Sequence, residues 1–206
     1  MRHLVIVVVG CCLVVAGCSR GPEPASEVTA AVEWQPVAAG DMTPAQQAQQ
    51  ELVATATNSM MAELLGELHA ALDSGGGPAG IEACRLKAPE IAARVSEEYG
   101  VAIGRTSDRL RNPANTMPAW AVRTVADGIA EPTFLAGPGG ELGAMLPIRL
   151  RAECEMCHGP AESIAEDIQR AIATFYPDDR AVGFVEGDLR GWIWVEVPRG
   201  EPETAL

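Results

Sequence analysis

The sequence ELGAMLPIRLRAECEMCH, residues 141–158, joins a mostly apolar segment to a short group of reactive side chains. The segment Glu141–Leu150 and the segment Pro132–Ala136 flank Pro138-Gly139-Gly140, a turn sequence. Apolar runs on both sides of a glycine-containing turn are typical of a β-hairpin. We therefore predict two antiparallel strands here, the second of which leads directly to the reactive side chains.

A second hairpin is predicted near the C-terminus, from Ala181–Val185 and Gly191–Val197. Side chains alternate between the two faces of a strand. In the last strand this alternation separates two sets, with Trp192, Trp194 and Glu196 on one face and Ile193, Val195 and Val197 on the other.

The reactive side chains are Cys154, Cys157 and His158, in the pattern C-x-x-C-H. This pattern is typical of c-type haem attachment, in which two thioethers hold the porphyrin and the histidine ligates iron. One alternative is a disulfide or redox C-x-x-C with a neighbouring histidine. A zinc site is less favoured, because no second C-x-x-C or paired histidine motif completes four ligands.

Helical signals fill the first part of the domain. Thr43, Pro44 and Gln46 form a helix start with a capping box, and apolar residues then recur at helical spacing to about Asp73. Gly75-Gly76-Gly77 ends this helix, and Pro78 opens a second helix that continues to Gly100. Shorter helices are predicted from Pro118 to Ile129 and from about Ala161 to Thr174. Helices followed by mostly antiparallel strands predict an α+β fold.

The N-terminal sequence predicts export and lipidation. Residues 1–17 contain a short basic start and an apolar run too short to span a bilayer. The run ends at Val15-Ala16-Gly17-Cys18, which resembles the lipobox of bacterial lipoproteins. That resemblance implies cleavage before Cys18 and acylation of its thiol, whereas an uncleaved membrane anchor is the alternative. The expected location is therefore the extracytoplasmic side of a membrane.

Four segments follow from this interpretation. They are a signal peptide (1–17), a Pro-, Gly- and Ala-rich tether (18–40), one domain (41–198) and a short tail (199–206). Trp34 is interpreted as a loose residue of the tether.

The chain is strongly acidic, with a net charge of -13 and Lys87 as its single lysine. Such a surface repels nucleic acid backbones, so we expect no nucleic acid partner. Arg105, Arg109 and Arg111 nevertheless lie close together in a polar loop. They are candidates for contacts with haem propionates, and salt bridges to local carboxylates are the equal alternative.

Several longer segments resemble a family of extracytoplasmic PAS-like domains, long catalogued as a domain of unknown function, which includes a cyanobacterial c-type haem protein. The segments are Ile81–Cys84 with Ala88-Pro89, Gly104–Ser107, Leu110–Asn115, Cys154–Gly159, Tyr176–Asp179 and Gly183–Gly191. The resemblance implies a PAS-like antiparallel sheet with flanking helices and a long N-terminal helix. It also implies one covalent haem c, with His158 and Cys84 as axial ligands of the iron.

The cysteine count is consistent with this role for Cys84. Of the six cysteines, two precede Cys18, one is Cys18 itself, and two belong to the C-x-x-C motif, so Cys84 is left unassigned. A buried, inert Cys84 remains an alternative, as does ligation by His69, Met60 or Met61.

Three uses of a haem are compared. A redox or ligand sensor is favoured slightly, and an electron-transfer cytochrome is the alternative. Peroxidase-like catalysis is disfavoured because two protein ligands leave no open site on iron, so we do not expect an enzyme. A separate redox or signalling protein is the expected partner, and a non-haem C-x-x-C module is the remaining alternative.

Overall fold

The structure is a computed structural model that describes residues 33–200. It contains one five-stranded sheet in which all pairs are antiparallel, with the strand order β1-β3-β4-β5-β2. The strands are β1 (Gln35–Pro36), β2 (Ala102–Thr106), β3 (Thr133–Ala136), β4 (Leu142–Arg149) and β5 (Leu189–Val197). The helices are α1 (Pro44–Tyr99), α2 (Val122–Ala126), α3 (Glu155–His158) and α4 (Glu166–Phe175). The predicted α+β class, with an antiparallel sheet, flanking helices and a long N-terminal helix, is confirmed.

Helix α1 is a hairpin of two helical arms. It starts at the capping box of Thr43 and Gln46, as predicted, and Gly100 ends it in the left-handed conformation at φ 64°. Gly76 breaks it with φ 67° and ψ -158°, a conformation that glycine tolerates far better than other residues. Arg94 and Glu63, 31 residues apart, form an ion pair, which shows that the second arm folds back along the first.

The main core lies between the α1 hairpin and one face of the sheet. Its buried members are Val53, Ala56, Met60, Leu64, Ala88, Ile91, Val95, Val101, Ile103, Ala144, Ile193, Val195 and Val197. Burying each larger aliphatic side chain contributes roughly 1.5–3 kcal/mol. Trp192 and Trp194 pack in a separate cluster, with Trp192 against Ala121 and Val125. The predicted alternation along the last strand is therefore confirmed.

The sheet begins earlier in the chain than the sequence suggested. β1 pairs with β3 through Gln35 and Pro36, which lie inside the predicted tether. The interpretation of Trp34 as a loose residue is wrong, because its ring stacks on Trp120 with centroids 5.1 Å apart. The apolar area buried in this aromatic contact stabilises the docked conformation of the segment.

The predicted hairpin between Ala181–Val185 and the last strand does not form. The backbone N–H groups of Gly183 and Phe184 instead donate to the carbonyl oxygens of Gly159 and His158. β5 has its two flanks occupied by β4 and β2, so no position beside it is left for this segment. The helix predicted after Pro118 is shorter than expected, consisting of one turn at Ala119–Ala121 and helix α2.

No helix within residues 33–200 is long and apolar enough to cross a membrane. The predicted signal peptide, Cys18, most of the predicted tether and the end of the predicted tail lie outside the described residues.

Candidate functional site

The C-x-x-C-H motif lies on a single turn just beyond the end of β4. A turn at Ala152–Cys154 continues into the short helix α3, which ends at His158. Residues spaced three or four apart lie on the same face of a helix. Cys154, Cys157 and His158 accordingly all line one cavity.

This cavity has a volume of about 470 Å³, within the range of about 300–1,000 Å³ that is usual for small-molecule and cofactor sites. Both arms of the α1 hairpin line the cavity, with Leu65, Leu68 and Leu72 from the first arm and Ile81 from the second. The cavity is also lined by residues of β2, of the polar loop that follows it and of the C-x-x-C-H turn. Its lining therefore combines apolar side chains with polar and cationic ones.

Cys84 lines the same cavity from the second arm of α1, a part of the chain distant in sequence from the motif. Cys84, Cys154 and Cys157 are free thiols, each half-buried. Burial raises the pKa of Cys84 and raises the pKa of Cys157 to about 11, with nearby Arg111 opposing both shifts. The structure thus brings together the two cysteines of the motif, the motif histidine and the one unassigned cysteine.

His158 Nδ1 has two polar neighbours. The carbonyl oxygen of Ala181 lies 2.7 Å away, and Arg190 Nε lies farther, at 3.3 Å. The shorter contact is to an oxygen that only accepts, so we assign the proton to Nδ1, and the neutral ring then has its lone pair on Nε2. Burial, together with Arg111 and Arg190, lowers the pKa of His158 well below its usual value, so the neutral ring is favoured. Such a tautomer fits a metal ligand whose other nitrogen is held by a carbonyl group.

The three arginines of the polar loop occupy different environments. Arg111 lines the cavity and forms a buried, bidentate ion pair with Asp179 at 3.1 Å for each bond. Arg109 is not among the residues that line the cavity, and its guanidinium lies over the Phe184 ring, 3.8 Å from the centroid.

Arg105 is the third, and it lines the cavity from β2. Within the part of the chain that the structure describes, its side chain has neither a hydrogen-bond nor an ion-pair partner, and burial lowers its pKa. Arg105 is therefore available to bind an anionic group inside the cavity.

Arg190 is a site residue that the sequence reasoning missed. β4 and β5 pair Ile148 with Gly191 and Arg149 with Leu189, so Arg190 is the extra residue of a bulge. A bulge turns a side chain out of the regular alternation, and here the guanidinium of Arg190 reaches the cavity. Its Nη1 donates to Ser107 Oγ at 3.1 Å, and its Nε lies 3.3 Å from His158 Nδ1. Burial and the neighbouring Arg111 lower the pKa of Arg190 to about 10.

Asp179 was missed as well, because its role depends on a partner far away in the sequence. The sequence signal for each residue was its place in a segment that resembles the family, Tyr176–Asp179 for Asp179 and Gly183–Gly191 for Arg190.

Of the alternative ligands, Met60 lies outside the cavity, whereas Met61 and His69 line it. Met60 is buried in the core between α1 and the sheet. Met61 and the exposed His69 reach the cavity from the first arm of α1. No three His, Cys, Asp or Glu side chains within residues 33–200 are grouped closely enough to hold a metal ion by themselves.

The fold and site together define a class of protein, namely an α+β domain in which a C-x-x-C-H turn lines a partly cationic cavity. The chain belongs to the Tll0287-like family, whose sequence model matches residues 37–198. Among solved structures, the chain is similar to one described as the crystal structure of the cyanobacterial heme-protein Tll0287. The two are 22% identical with a TM-score of 0.56, and the match covers 78% of this chain and 99% of the other. A search of curated proteins found no match.

Proposed function

We propose that this chain is a c-type haem protein in which Cys154 and Cys157 bind one haem covalently. The observation that carries this proposal is the convergence of both cysteines, His158 and Cys84 on one cavity. The description of the similar solved structure as a heme-protein supports it. His158 and Cys84, which both line the cavity, would be the two protein ligands of the haem iron.

The residues of the cavity fit such a group. His158 presents an Nε2 lone pair, since its Nδ1 proton is held by Ala181. The α1 hairpin supplies an apolar wall for a flat, apolar ring, and Arg105 supplies an unpaired cation for a carboxylate of that ring. Haem, when bound, supplies a one-electron couple at its iron. Cys154, Cys157, His158 and Cys84 would hold it, and the apolar residues of the α1 hairpin would pack against its ring.

The test is acid–acetone extraction of protein produced with a cytochrome c maturation system. We expect the pigment to stay on the wild-type chain, because thioether bonds survive this treatment. The double substitution Cys154→Ser and Cys157→Ser should abolish covalent attachment, whereas Cys84→Ser should leave it intact. Pigment that extracts freely from the wild-type chain, or no pigment at all, would contradict the proposal.

We further propose a redox or ligand sensor, with an electron-transfer cytochrome as the alternative. Because Cys154 and Cys157 would hold the haem covalently, Cys84 on the second arm of α1 could leave the iron without release of the haem, which suits a sensor. Displacement of Cys84 on reduction, or on carbon monoxide or nitric oxide binding, would support sensing. A reversible couple without gas binding would favour electron transfer instead.

The remaining parts of the proposal come from the sequence. We propose that Cys18 is acylated and that the domain is held on the extracytoplasmic side of a membrane. A separate redox or signalling protein is the proposed partner. No catalytic acid–base pair was recognised near the motif, and a non-enzymatic role is proposed.

A further inference from the structure

The most deeply buried ion pair of the described residues lies next to the C-x-x-C-H turn. The side chains of Arg111 and Asp179 are 9% and 7% exposed. Every other ion pair within residues 33–200 has both side chains at least 31% exposed. Burying two charges costs several kcal/mol of desolvation for each ion, so such a pair is weak evidence for a stabilising role alone. Its further contacts indicate a more specific role.

The pair binds both polar groups of one peptide segment. Asp179 Oδ1 accepts a hydrogen bond from the Ala181 N–H at 2.9 Å. Arg111 Nη2 lies 3.2 Å from the Ala181 carbonyl oxygen and donates to the Cys157 carbonyl oxygen at 2.6 Å. The position of Ala181 relative to the C-x-x-C-H turn is therefore fixed by these two side chains.

The Ala181 carbonyl oxygen is also the acceptor for His158 Nδ1, at 2.7 Å. The chain of contacts runs from Asp179 through Arg111 and Ala181 to the histidine ring. A ligand histidine usually has its second nitrogen fixed in this way, and such partners decide the tautomer and the orientation of the ring.

We infer that Arg111 and Asp179 are positioning residues that hold His158 as the Nδ1–H tautomer with Nε2 directed away from Ala181. This inference rests on the proposed function in one respect, which is that the atom bound by Nε2 is taken to be haem iron. On this inference Arg111 orients His158 and does not bind a propionate. Of the three arginines in the loop, Arg105 then remains as the propionate contact.

The first test is independent of haem. Long-range ¹H–¹⁵N NMR of the haem-free full chain reports the tautomer of each histidine. In the wild-type chain we expect His158 to be the Nδ1–H tautomer. His69 is exposed and has no hydrogen-bond partner among residues 33–200, so it reports an unconstrained imidazole in the same spectrum. In Asp179→Asn and Arg111→Gln, His158 should shift toward the tautomer mixture of His69.

Two variants separate positioning from general destabilisation. Arg109 contacts the Arg180 carbonyl oxygen and the Phe184 ring but not the Ala181 carbonyl oxygen that His158 binds, so Arg109→Gln should leave the His158 tautomer unchanged. Arg111→Lys keeps the positive charge but lacks the planar guanidinium group, so it should also lose the preference for the Nδ1–H tautomer. This variant replaces Arg111→Gln if Arg111→Gln does not fold. A folded variant that keeps a wild-type His158 tautomer in the absence of the pair would overturn the inference.

The second test uses the haem-loaded chain. Ferric electron paramagnetic resonance should show one low-spin species in the wild type and in Arg109→Gln, and additional species in Asp179→Asn because the ring is no longer held in one orientation. A single unchanged species in Asp179→Asn would count against the inference. Failure of the haem proposal itself would appear as freely extracted pigment in the wild type, with the tautomer result unaffected.

Discussion

At the scale of single residues, Arg105 is the arginine whose substitution best tests whether the loop binds a haem propionate. It lines the cavity without a partner among residues 33–200, whereas Arg111 is neutralised by Asp179. A reduced haem carries one less positive charge than an oxidised haem, so a nearby cation favours reduction. We expect Arg105→Gln to lower the midpoint potential in a spectroelectrochemical titration, and Arg109→Gln to have the smaller effect. Equal potentials in Arg105→Gln and the wild type would exclude a propionate contact.

If Cys84 ligates the iron, its thiolate should have a large effect on the spectrum and the midpoint potential of the haem. Axial ligands tune haem potentials over about 0.8 V. A thiolate should stabilise the ferric state and give a low-spin signal with small g-anisotropy. We expect Cys84→Ala to lose this signal and to raise the potential. His69→Ala, which changes another residue of the same cavity, is the matched control and should retain the signal.

The buried environment of His158 predicts that the free energy of unfolding of the haem-free chain depends on pH. Its folded pKa is well below 6.5 because the ring is buried beside Arg111 and Arg190, while the unfolded pKa is about 6.5. Below pH 6.5 the unfolded chain therefore binds a proton that the folded chain does not, and stability falls as the pH falls. The loss approaches about 1.4 kcal/mol per pH unit.

Urea denaturation between pH 7.5 and 5 would measure this loss, using roughly the range over which an unperturbed histidine titrates. His158→Gln should remove the histidine component of the slope. A slope that is the same in both chains would show that His158 does not titrate differently in the folded and unfolded states.

At the scale of elements, the tip of the α1 hairpin is fitted closely against α4. A Cβ atom at Gly77 would lie 2.3 Å from Ile168, which is itself only 4% exposed. We expect Gly77→Ala to destabilise the domain by about 1–3 kcal/mol, the usual cost of overpacking. Gly66 lies within the same helix, and a methyl group added there would meet no atom within 4 Å, so Gly66→Ala should stabilise by about 0.5–1 kcal/mol. Thermal unfolding of the two variants measures the difference, and equal effects would contradict this packing.

The elements that were predicted correctly are those specified by residues close together in the sequence. The capping box of Thr43 and Gln46 and the break at Gly76 depend on residues a few positions apart, as does the turn between β3 and β4. The segment Ala181–Val185 was predicted wrongly because its backbone partners, His158 and Gly159, are remote in sequence. β1 is too short for a periodic pattern, and its pairing is set by the sheet edge that β3 provides.

The same distinction holds for the site. Cys154, Cys157 and His158 are close together in the chain, so their pattern could be recognised in the sequence. Arg190 enters the cavity only because of a bulge, and a bulge is a property of paired strands rather than of one segment. Asp179 acquires its role from Arg111, 68 residues away. Such contacts appear only when the chain is folded.

At the scale of the whole molecule, charge is distributed unevenly. The chain has a net charge of -13, yet the residues that line the cavity include four arginines (Arg105, Arg111, Arg149 and Arg190) and one carboxylate, Glu153. Asp179 forms a buried ion pair with one of these arginines, Arg111. The cationic cavity favours an anionic occupant, while the acidic exterior repels polyanions such as nucleic acids. The distribution of charge is thus consistent with the proposed haem, whose propionates are anionic, and with the expectation of no nucleic acid partner.

The location of the molecule depends on Cys18, which lies outside the described residues. Cleavage before Cys18 and acylation of its thiol would give the domain a diacyl anchor, and two acyl chains hold a protein on a membrane far more stably than one. We expect the wild-type chain to fractionate with membranes and to require detergent for release. Cys18→Ala should block acylation and shift the protein to the soluble extracytoplasmic fraction or leave an unprocessed precursor, which mass spectrometry distinguishes. Cys12→Ala, a cysteine of the same N-terminal segment, is the matched control and should remain membrane-bound. A wild-type chain that is already soluble without detergent would show that no lipid anchor is present.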